Sequence, residues 1–88
     1  MKIHLKYDSD SDETELETQS STLGDLLAEI SKKYPNSRFF HRNRWEVGFE
    51  YFVELNGQMH DALPQELGTK LKDGDKVEIY IGNEFLDD

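Results

Sequence analysis

One amphipathic helix, set between stretches of alternating sequence, constrains this chain more than any other feature. The apolar positions Leu23, Leu26, Leu27, Ile30 and Tyr34 recur at three- and four-residue steps, which makes one stripe along an α-helix running to about Lys33. Its start is marked by Thr22-Leu23-Gly24-Asp25. In such a capping box the Thr22 hydroxyl accepts from the Asp25 backbone N–H, and the Asp25 carboxylate reaches back to the cap residue. Asp25 in the first turn and Lys32 and Lys33 in the last both suit the helix dipole. Pro35 stops the helix, because the residue before a proline is pushed out of α conformation.

The flanking sequence reads as strands. Ile3, Leu5 and Tyr7 alternate with Lys2, His4 and Lys6, a half-buried strand over about 2–7. A polar turn at 8–13 leads to Thr14, Leu16 and Thr18, a second strand that pairs antiparallel with the first across so short a loop. The longest alternation places Trp45, Val47, Phe49, Tyr51, Val53 and Leu55 on one parity, toward a core, with Phe52 the one large apolar residue out of register. Eleven residues exceed the usual strand, so its first part bends, bulges or forms a hairpin arm. Asn56-Gly57 is a strong turn signal, from which Gln58-Met59-His60 returns antiparallel. Leu63, Pro64 and Leu67 show no period, which suits a crossing loop or a short helical turn. Leu71 plugs the core before the turn Lys72-Asp73-Gly74-Asp75, and Val77, Ile79 and Ile81 form a last strand. The expected fold is α+β, order β-β-α-β-β-β, with one helix over a mixed sheet of four to five strands. The first and last strands pair parallel at its centre.

Eighty-eight residues suffice for one core. The domain is therefore taken as 1–88, with a short acidic tail from about 83. The chain has no cysteine, which excludes disulfides and thiolate metal sites. No apolar run is long enough to span a bilayer, and residues 1–6 already alternate as a strand, so neither a signal peptide nor a membrane helix is expected. A cytoplasmic protein without membrane partners follows as the expectation.

The net charge of −9 is unevenly placed. Residues 1–31 sum to −6 and residues 46–88 to −8, whereas residues 32–45 carry Lys32, Lys33, Arg38, Arg42 and Arg44 without a carboxylate, for +5. Most of the surface therefore repels nucleic acid and anionic membranes.

Several motifs resemble the ubiquitin-like sulfur-carrier families, the molybdopterin synthase small subunit and the thiamine sulfur carrier. They are Ser21-Thr22-Leu23-Gly24-Asp25-Leu26-Leu27, Ser31-Lys32-Lys33-Tyr34-Pro35, Val53-Glu54-Leu55-Asn56-Gly57 and Leu71-Lys72-Asp73-Gly74-Asp75-Lys76-Val77-Glu78-Ile79. With the element order, the resemblance covers about residues 2–82 and implies a β-grasp (ubiquitin-like) fold. The last two motifs are also similar to those of TGS domains. In the carriers a tail ending in Gly-Gly is adenylated and converted to a thiocarboxylate, and the domain does no other chemistry. Here Ile81 is followed by Gly82-Asn83-Glu84-Phe85-Leu86-Asp87-Asp88, which contains no Gly-Gly pair. The expectation is accordingly a non-enzymatic adaptor or accessory protein. A diverged sulfur-carrier subunit and a TGS-like nucleic-acid-associated module are the alternatives.

No catalytic, cofactor or metal motif stands out. His4, His41 and His60 lack ligand spacing, and His4 and His60 read as strand-face residues. The run Asp8, Asp10, Asp12 and Glu13 has calcium-loop spacing but lacks the glycine and final glutamate of such a loop, so a solvated turn is the better account. The basic segment is more informative, since it sets Tyr34, Phe39, Phe40 and Trp45 among half of the lysines and arginines. Tyr34 and Trp45 are the first candidates to close the core. Phe40 or Trp45, if exposed, would form a contact surface with Arg38, Arg42 and Arg44. An acidic protein partner suits it better than RNA. Phe85 and Leu86 are a second candidate surface, and an edge strand permits homodimerisation.

Overall fold

The computed structural model describes residues 1–7, 12–34 and 38–81. Strands β1 (Lys2–Tyr7) and β2 (Thr14–Glu17) pair antiparallel, with Ile3 opposite Leu16. Helix α1 (Leu23–Lys33) follows. The Thr22 side chain accepts from the Asp25 N–H at 3.2 Å, as the capping sequence requires. Leu23, Leu26, Leu27 and Ile30 are all buried, so the apolar stripe faces the sheet.

After the helix comes a small hairpin, β3 (Phe40–His41) and β4 (Glu46–Val47), then β5 (Tyr51–Leu55), β6 (Gln58–Met59) and β7 (Lys76–Ile81). The main sheet has the order β2-β1-β7-β5-β6. β7 runs parallel to β1 and antiparallel to β5, so the segments around Ile3 and Ile79 meet at its centre. The β-β-α-β-β-β order holds for this sheet, with the β3–β4 hairpin inserted after the helix as a separate two-stranded unit.

The turn between β5 and β6 has positive φ at both Asn56 (53°) and Gly57 (86°), the geometry an Asn-Gly hairpin adopts. Residues 60–70 cross back through two short 3₁₀ turns, His60–Ala62 and Glu66–Gly68, placing His60 on a turn instead of a strand. Leu71 is buried, and Gly74 takes φ 91° in the turn before β7. Ile81 is exposed although it continues the inward parity of Val77 and Ile79.

Two expectations about the aromatic segment are corrected. The alternation over 45–55 is not one strand face, although its first part does form a hairpin arm, β4, as its length implied. It breaks at Gly48, where the chain turns, and Phe49 is left 86% exposed. The rings that close the core are also different ones. Phe39 and Phe40 are buried, while Tyr34 and Trp45 stay largely exposed. Tyr34 instead stacks on Tyr7 at 4.7 Å, and Tyr7 meets Phe39 edge-on at 5.6 Å. Tyr7 thus packs against the core, with Tyr34 stacked on its outer side.

Candidate functional site

The β3–β4 hairpin carries the basic segment, and its shape follows from a few close contacts. Phe39 is fully buried and packs edge-on against Tyr51. The Gly48 N–H donates to the Phe39 carbonyl at 2.6 Å, which pins the end of the hairpin to its start. A Cβ on Gly48 would lie 2.3 Å from the Arg38 carbonyl oxygen, so only glycine permits this approach.

At the tip, the Arg44 N–H donates to the His41 carbonyl and closes a turn through Arg42 and Asn43. Trp45 then adopts φ 56°, an uncommon conformation for a bulky residue. That conformation lays its indole over the first turn of α1. A Cβ built on Gly24 would meet indole atoms at 2.8–2.9 Å. Glycine is a poor helix former, and the close approach of Trp45 accounts for one in the first turn. Phe40 supports the indole from the other side, edge-on at 5.2 Å.

The predicted interaction residues are therefore only partly brought together. Arg38, Arg42, Arg44 and Trp45 are all exposed, with Trp45 retaining 44% of its surface. Phe40 lies inside the core and is a buttress for Trp45 instead of a contact residue. Phe85 and Leu86 lie outside the described residues, as do Asp8 and Asp10 of the acidic run. Phe49 was read as a core residue, yet it is the most exposed large apolar side chain among those described. The glycine before it was the one available sign that the alternation breaks.

Around the tip, Phe40, His41, Arg42, Asn43 and Arg44 line an open depression of about 370 Å³. Arg44 pairs with Glu46 at 3.4 Å with both side chains well exposed, a geometry worth little in water. Among the described residues, neither Arg38 nor Arg42 pairs with a carboxylate. The hairpin thus presents positive charge and an aromatic face on an otherwise acidic surface. It offers binding chemistry. Among the described residues there is no cluster of three or more side chains suited to hold a metal. Nor is any helix among them long and apolar enough to cross a membrane.

The sequence profile of the ThiS family matches residues 5–79, most of the chain. This protein belongs to the ThiS family. Solved structures agree on the fold of this ThiS-family chain. Small archaeal modifier protein 1 from Methanosarcina acetivorans is 21% identical, with a TM-score of 0.71 over 92% of each chain. The SAMP1 crystal structure from Haloferax volcanii is also 21% identical, with a TM-score of 0.67 over 92% of this chain and 94% of that one. A putative molybdopterin converting factor subunit 1 from Pyrococcus furiosus is 22% identical, with a TM-score of 0.60 over 92% of this chain and 97% of that one. No curated protein matches the sequence. The ThiS-family chain is thus an α+β β-grasp protein of the ubiquitin-like sulfur-carrier superfamily, as its motifs imply.

Proposed function

We propose that this chain is a non-enzymatic ubiquitin-like adaptor, one domain over residues 1–88, that acts through protein–protein contacts at the β3–β4 hairpin. Its partner there is an acidic protein surface. One observation carries the reading. Trp45 is held half-exposed in an uncommon backbone conformation, beside Arg42 and Arg44, on the one stretch of positive charge in a chain of net charge −9. Tryptophan and arginine dominate the energetics of protein interfaces, and a backbone outlier that neighbouring contacts maintain is a mark of function. Affinity capture from native lysate with wild type and an Arg42→Ala, Arg44→Ala double variant tests it. The variant is expected to keep its fold, by circular dichroism, and to lose at least one acidic protein. An identical captured set would reject the site.

Membership of the ThiS family favours a second reading, a diverged sulfur-carrier subunit. Incubation with ATP and a cognate activating enzyme should then add an adenylate at the C-terminus with release of pyrophosphate. A sulfur donor supplied beside them should convert it to a thiocarboxylate with release of AMP, both visible by mass spectrometry. An unchanged mass counts against it. A nucleic-acid-associated role has less support, because acidic residues dominate the charge outside the hairpin segment.

A further inference from the structure

The hairpin leaves unused a second surface of opposite charge. Among the described residues, β2 ends the main sheet at one edge. The Thr18 N–H donates to the Met1 carbonyl, and bonded pairs alternate along an antiparallel ladder. Leu16 and Thr14 therefore bond toward Ile3 and Leu5, and the backbone N–H and C=O groups of Glu15 and Glu17 point outward at the open edge.

Beside that edge, the space between β2 and α1 has two parts. The first is a mainly apolar pocket of about 390 Å³, whose walls include Leu5, Tyr7, Leu16, Ile30 and Tyr34. The second is a depression of about 610 Å³ bordered by Glu17, Thr18, Asp25 and Glu29. Glu29 is fixed there, since the hydroxyls of Thr18 and Ser20 both donate to its Oε1. Leu16 borders the first part and Thr18 the second, two residues apart on the same face of the chain. That separation is about 7 Å, the rise between successive same-side residues of an extended chain.

We propose that this edge receives an extended, basic segment of a partner protein as an added strand. One apolar side chain enters the pocket, and a lysine or arginine two residues along faces Glu29 and Asp25. Backbone pairing supplies affinity in this mode, and the alternate pockets supply the sequence preference. The charge sets the occupant. Asp12, Glu15, Glu17, Asp25 and Glu29 line the two parts, against Lys33 as the one basic residue among the described lining. Natural edge strands are commonly guarded by shortness, charged side chains, proline or a bulge. β2 has no proline or lysine, and its guards are glutamates. Glu15 pairs with Lys2 at 3.9 Å and Glu17 with the N-terminal ammonium at 2.9 Å. Asp12, Asp25 and Glu29 have no cation partner among the described residues, so the edge repels a second copy of this acidic chain and attracts a basic segment. This surface stands independently of the hairpin reading.

The test is an NMR titration of the full ¹⁵N- and methyl-labelled chain with the peptide acetyl-Lys-Ile-Lys-Arg-Lys-amide, beside a peptide with serine in place of isoleucine. Saturable shifts are expected at the Glu15 and Glu17 amides, at the Leu16 and Ile30 methyls and at Tyr34, with the serine peptide weaker. Glu15→Pro removes an outward N–H at an edge position where proline is tolerated, and should weaken binding about fivefold or more, the loss of one hydrogen bond. Glu15→Gln keeps that N–H and should weaken it only about twofold. Three results overturn the proposal: no saturable binding, equal binding of both peptides, or shifts confined to carboxylates without Leu16, Ile30 and Tyr34. The wild-type shift map decides even if the proline variant fails to fold.

Discussion

The central ladder and the hairpin at 38–50 are built on different principles. In β1, β5 and β7 repetition does the work. Ile3, Leu5, Val53, Leu55, Val77 and Ile79 point inward at every second position, and all are buried. The hairpin is built from exceptions: a tryptophan at positive φ, a glycine pressed against a carbonyl oxygen, and two adjacent phenylalanines that are both buried. Burial alone specifies the first region. The second depends on a handful of particular contacts, and local rules tend to be broken where a surface has a job.

The largest expected effect bridges the two regions. Phe39→Ala removes a fully buried ring that touches Tyr7 and Tyr51. It should destabilise by about 3–5 kcal/mol, read by urea denaturation. An effect as small as that of a surface change would show that the hairpin is not continuous with the core. Gly48→Ala comes next. The backbone at Arg38 must shift to admit a methyl group, and a loss of about 1–3 kcal/mol is expected. The amide shifts should change around 38–48 and leave β1 and β7 unmoved.

A double-mutant cycle sharpens the contrast further. Gly24→Ala should destabilise the wild type by about 1 kcal/mol or more, because the added carbon meets the Trp45 indole. In a Trp45→Ala background the same change should stabilise, by up to about 0.8 kcal/mol, through helix propensity alone. Failure of the sign to reverse would mean that the indole does not rest there. The smallest stability effect belongs to the Arg42→Ala, Arg44→Ala double variant. It should alter stability by no more than about 0.5 kcal/mol per residue, since both side chains are exposed.

What could be read from the sequence follows the same division. The helix, β1, β7 and the Asn56-Gly57 turn were legible because each depends on residues adjacent in sequence: a stripe, an alternation or a dipeptide. The parallel union of β1 and β7 could be inferred from the element order and the motifs that the chain shares with carrier families. The exchange of Tyr34 and Trp45 for Phe39 and Phe40 in the core was not legible. It depends on a turn at Gly48, where only a glycine can lie against the Arg38 carbonyl ten residues earlier, and parity carries no information across a turn. Strands of two residues, such as β3, are too short to show a period at all. The basic charge of the candidate site was plain from composition, whereas its geometry required knowing which ring Gly24 receives.

The position of β7 between β1 and β5 has a consequence for biosynthesis. During translation Ile3 and Leu5 leave the ribosome some seventy residues before Val77 and Ile79, the side chains beside them in the finished sheet. Until then the nascent chain displays a greasy, half-made surface of the kind that invites aggregation. Such long-range pairing also makes assembly slow for so short a polypeptide. A chain cut short before Lys76 would lack the strand that joins β1 to β5 and could not close its sheet.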